Sequence, residues 1–130
     1  MSYNSVIPDD VAQFILERID SVAAMEALLL LRSDPVQEWS VEELAKRLYI
    51  SEQQTADVVA SLCAHEIFVA ILSGPPRYRY QPASKDLQLM VDRAAEIYSQ
   101  HLVPVTNLIH TKPTTRVQEF ADAFKFRKDE

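Results

Sequence analysis

Ser40-Val41-Glu42-Glu43-Leu44-Ala45-Lys46-Arg47-Leu48-Tyr49-Ile50-Ser51-Glu52-Gln53-Gln54 carries two helix-start signals 11 residues apart. In Ser40-x-x-Glu43 the hydroxyl can accept from the Glu43 amide while the Glu43 carboxylate reaches back to the Ser40 amide. Ser51-x-x-Gln54 repeats the pattern. The first signal opens a short helix, Val41 to Tyr49. The second opens another, whose apolar face reads as Ala56, Val59, Leu62, Cys63 and Ile67. About three residues are left between them, enough only for a tight helical turn.

Downstream the period changes. Phe68-Val69-Ala70-Ile71-Leu72 is apolar, partly β-branched and of strand length. Ser73-Gly74-Pro75-Pro76 is a turn signal, and Arg77-Tyr78-Arg79-Tyr80 alternates with period two before Gln81-Pro82. These residues predict a hairpin, with Gly74 at its tip.

Upstream, Pro8-Asp9-Asp10 places a proline and two carboxylates where a helix N-terminus favours them. Val11, Phe14, Ile15, Ile19 and Val22 then follow helical spacing. Asp20-Ser21 can cap a second helix, or the two segments are one bent helix. The run Leu28-Leu29-Leu30-Leu31 is apolar all round and belongs to the core, and Arg32-Ser33-Asp34-Pro35 stops it.

Beyond the hairpin, Ser84 caps a long helix. Its stripe of Leu87, Val91, Ala94, Tyr98, Val105 and Leu108 is spaced four and three apart except at His101, and Pro104 should kink or end it. Thr115-x-x-Gln118 offers a cap for a short terminal helix bearing Val117, Phe120, Ala121 and Phe124. The stripe suits packing on the N-terminal helix of its own chain or on a partner copy. The surplus of apolar helix, Phe120, Phe124 and Phe126 included, favours a twofold homodimer.

Composition narrows the function. The chain has 130 residues, 48% hydrophobic and 25% charged, with one glycine and one cysteine. That length sustains a core without disulfides or metal. A single glycine excludes phosphate-wrapping nucleotide loops, which bring backbone close to the ligand. A single cysteine, Cys63, excludes an internal disulfide framework and fits a reducing cytoplasm. No stretch approaches the roughly 20 apolar residues of a membrane span, and no secretion signal is visible. Net charge is −6. Residues 1 to 50 carry 4 Lys and Arg against 9 Asp and Glu, and residues 84 to 130 balance 7 against 7. Cys63 and His65 are two apart, which on a helix turns them away from one another, and no metal-binding or nucleophile-base-oxyanion set is present. No cofactor and no enzymatic activity are expected.

Helix, short helix, tight turn, helix and hairpin, in that order, resembles the winged helix-turn-helix superfamily of bacterial transcriptional regulators. Glu43-Leu44-Ala45, Leu48, Ile50-Ser51, Val59, Leu62, Ile67 and Tyr78-x-Tyr80-x-Pro82 carry the resemblance over about residues 21 to 82. The implied architecture is one domain over 1–130, mainly α with a small β-hairpin. A winged core carries extra N-terminal helix and a long C-terminal helical extension over 84–124.

The resemblance implies double-stranded DNA as partner, read by the exposed face of the second motif helix: Glu52, Gln53, Gln54, Asp57, Ala60 and Ser61. Gln53 and Gln54 suit adenine edges. Lys46 and Arg47 would lie at phosphate, and Arg77 and Arg79 at the backbone or minor groove. The same face carries no Lys or Arg, and its carboxylates repel phosphate. The competing reading is therefore a winged scaffold that binds another protein. Two positions where many members have glycine hold Tyr49 and Glu66. A side chain there in the left-handed conformation is costly but tolerable.

Overall fold

In chain order, the computed structural model, which describes residues 6–112, runs α1 (Asp9–Arg18), α2 (Val22–Ser33), α3 (Val41–Leu48), α4 (Glu52–Ala64), β1 (Phe68–Ile71), β2 (Arg77–Tyr80), α5 (Lys85–Gln100) and α6 (Leu102–His110). The protein is thus mainly helical with one two-stranded antiparallel hairpin. The terminal helix expected around Val117 to Phe124 lies outside the described residues. Among the described residues no helix is long and apolar enough to cross a membrane.

The helix starts follow their caps. Pro8 occupies the N-cap position of α1, with Asp9 and Asp10 in the first turn. The choice between one bent N-terminal helix and two is settled by Ser21, whose hydroxyl accepts from the Ala24 amide at 3.0 Å after the extended residue Ile19. At α3 both arms of the capping box form, 3.1 Å from the Glu43 amide to Ser40 Oγ and 3.0 Å from the Ser40 amide to Glu43 Oε1. At α4, Ser51 Oγ accepts from the Gln54 amide at 3.0 Å.

The helix ends reveal why two side chains sit where glycine is usual. Tyr49 (φ 59°) and Glu66 (φ 67°) are both left-handed. After α4, the Ile67 amide donates to the Leu62 carbonyl and the Glu66 amide to the Cys63 carbonyl, each at 3.0 Å. This is the crossed pair that closes a helix through a left-handed residue. After α3, the Ile50 amide reaches the Ala45 carbonyl at 3.2 Å. The backbone geometry is kept and the side chains bear its strain.

In the hairpin, Phe68, Val69, Ala70 and Ile71 stand opposite Tyr80, Arg79, Tyr78 and Arg77. Trp39 adds a bridge on the other side of β2, exchanging both backbone hydrogen bonds with Tyr78 at 2.8 Å. Period two then puts Trp39, Tyr78, Tyr80 and Phe68 on one face and Glu38, Arg77, Arg79 and Val69 on the other. The first face is the core face: Trp39, Phe68 and Tyr80 are buried.

Three expectations are refined. The buried face of α4 is Thr55, Val58, Val59 and Leu62, while Ala56 and Cys63 lie half-buried at its margin. Thr55 is admitted to this apolar face because its hydroxyl donates to the Ser51 carbonyl at 2.8 Å. The long C-terminal helix is two helices, and the break falls at His101 rather than at Pro104. Ending α5 there places Pro104 in the first turn of α6, where a missing amide leaves no hydrogen bond unmade. Of the two partners open to the long stripe, the structure takes the intrachain one. Val91, Ala94, Tyr98, Val105 and Leu108 are buried, and α5 and α6 pack on α1.

Two groups of elements result. Helices α2, α3 and α4 pack with the hairpin, and α1 packs with α5 and α6. One continuous apolar cluster, from Val11 and Ile15 through Leu28 and Leu31 to Leu62 and Ile109, runs through both.

Candidate interaction surface

The residues singled out as functional lie on α3, the turn after it, α4 and β2. Gln53, Gln54, Lys46 and Arg47 are exposed, as are Glu52, Asp57 and Ala60. Helical spacing groups Gln53 with Asp57, whose carboxylate accepts from Gln53 Nε2 at 3.4 Å. Between the two helices, Tyr49 projects with 93% of its surface accessible. The turn that sterically prefers glycine therefore presents an aromatic ring to solvent.

Ser61 is engaged elsewhere. Its hydroxyl donates to Asp20 Oδ2 at 2.7 Å, which points it toward the α1–α2 link and leaves it half-buried.

The hairpin arginines are held by carboxylates. Arg77 Nη2 donates to Glu43 Oε1 and to the Glu38 carbonyl, both at 3.2 Å, with its Nε 4.0 Å from Glu38 Oε1. Arg79 lies 3.8 Å from Glu38 Oε2 and donates to Gln81 Oε1 at 2.7 Å. Glu43 serves two purposes, since the oxygen that completes the α3 capping box also receives Arg77. The hydrogen bond from the Ser40 amide, aided by the Arg77 charge, holds its carboxyl below the usual range against the opposing effect of desolvation. The cap of α3 thereby ties the hairpin to the helix.

Arg47 lies over Trp39, its guanidinium carbon 5.4 Å from the ring centroid, a cation-π geometry. The indole Nε1 and the Tyr80 hydroxyl are buried without a hydrogen-bond partner among the described residues. Burial, reinforced by the charge of Asp92 and opposed by Arg32, pushes the Tyr80 phenol up to about 12.

A second polar cluster was not legible in the sequence. Lys112, only 5% exposed, donates to the Ile19 carbonyl at 2.8 Å and to Asp20 Oδ1 at 3.0 Å. Asp20 also takes Ser61, and His65 Nε2 lies 3.9 Å away. Desolvation raises the Asp20 carboxyl, but the hydrogen bonds from Ser61 and Lys112 and the charge of Lys112 outweigh it, and the net shift is downward. Nearby, Arg18 donates to the His65 carbonyl at 2.7 Å, placing a cation on the C-terminus of α4. Lys112 and Asp20 are 92 residues apart, and neither occurs in a local pattern that signals pairing. For Glu38 no such signal exists either, because Val36-Gln37-Glu38-Trp39 does not alternate and Trp39 pairs with Tyr78 only through an isolated bridge.

Cys63 is half-buried, and burial pushes its thiol up, so it is not an activated thiolate. Among the described residues no group of three or more His, Cys, Asp and Glu side chains is arranged to hold a metal ion.

No protein-family model, no curated protein and no solved structure matches this chain.

Proposed function

We propose that this chain is a cytoplasmic winged-helix protein-interaction module whose exposed α4 face, together with Tyr49, receives a partner bearing basic groups. The observation that carries the reading is electrostatic. Arg77 and Arg79, the cations a DNA-reading wing would turn to phosphate, are engaged by Glu38 and Glu43. The helix that would enter the groove offers Glu52 and Asp57 and no cation. Duplex DNA is held chiefly through phosphate neutralisation, which such a surface opposes. A solvated tyrosine, Tyr49, suits a protein partner, where tyrosine is a frequent energetic anchor.

The test is capture of a partner, identified by mass spectrometry, whose binding is lost in Glu52→Lys/Asp57→Lys. Retention of every partner by that variant, or tight binding of a random duplex at low salt, would overturn the reading.

Sequence-specific DNA binding by a dimeric regulator is the second reading, favoured by the exposure of Lys46 and Arg47 at the end of α3 and of Gln53 and Gln54 at the start of α4. It predicts affinity that falls steeply with salt, with a shallower slope in Arg77→Ala/Arg79→Ala. Surface ion pairs are weak. On this reading Glu38→Gln/Glu43→Gln therefore binds duplex more tightly than wild type, because it frees the arginines and removes two repulsive charges.

A further inference from the structure

We draw no further inference here: the strongest candidate, the uncharged surface patch at the hairpin tip from Leu72 to Pro76, where Leu72 is 70% exposed, carries nothing because nothing in the structure shows what covers it.

Discussion

Tyr49 shows how a residue can be wrong for its backbone yet right for its place. A left-handed non-glycine residue costs about 1–2 kcal/mol, and glycine returns part of that gain through its freer unfolded chain. With 93% of its surface exposed, Tyr49 recovers almost none of the strain by packing. Tyr49→Gly is therefore expected to stabilise the fold by roughly 1 kcal/mol, raising the melting temperature by a few degrees, whereas Tyr49→Ala brings no such gain. A melting temperature unchanged or lowered in Tyr49→Gly would show that the ring has packing the exposure does not reveal. A strained, solvated aromatic is also what an interaction surface needs, and its removal should weaken partner capture while the fold gains.

At the scale of elements, the polar links explain how the helices are oriented. Asp20 sits in the α1–α2 link and gathers Ser61 from α4 and Lys112 from beyond α6. Its carboxyl lies below the ordinary value in the folded protein. It therefore contributes stability above the unfolded value, near pH 4, and loses that contribution as pH falls through the folded one. The drop in urea midpoint between pH 6 and pH 3 should be smaller in Asp20→Asn than in wild type, and equal drops would exclude this role. Lys112→Met leaves the Ile19 carbonyl and Asp20 short of a donor and should cost about 1 kcal/mol by urea denaturation at pH 7, since Asp20 retains water access. Both effects couple the end of α6 to the first helix junction.

For the whole molecule, the question is whether the α1–α5–α6 group and the group holding the hairpin are independent. The continuous apolar cluster and the bridges Arg32–Asp92 (2.9 Å), Tyr98–Glu26 (2.5 Å) and Arg18 to the His65 carbonyl argue for one cooperative unit. Trp39, the single tryptophan, reports on the hairpin group. Ile109→Ala, a fully buried site on α6, should cost about 2–5 kcal/mol. Its denaturation followed by Trp39 fluorescence should shift by the same amount as by circular dichroism. A fluorescence midpoint that stays put while the helical signal moves would mean two separately folding groups.

The residues themselves determined most of the element order, because the Ser40, Ser51 and Ser84 caps, the Gly74-Pro75-Pro76 turn and the period-two run at Arg77–Tyr80 act within a few positions of one another, whereas the Ser21 cap was only one of two readings. It was the resemblance to winged-helix proteins, and no local signal, that pointed to Tyr49 and Glu66, and both have positive φ. Only the tertiary structure decided what the charges do. Nothing near Arg77 or Arg79 in sequence marks Glu38 and Glu43 as their neighbours, and Glu43 lies 34 residues from Arg77, so these ion pairs exist only because the fold brings the segments together. The break at His101, the covering of the long stripe by α1 and the burial of Lys112 on Asp20 were likewise decided by packing between distant segments. Hydrogen bonds that close a cap or a turn are local, whereas ion pairing and apolar burial depend on which distant surfaces the fold makes neighbours.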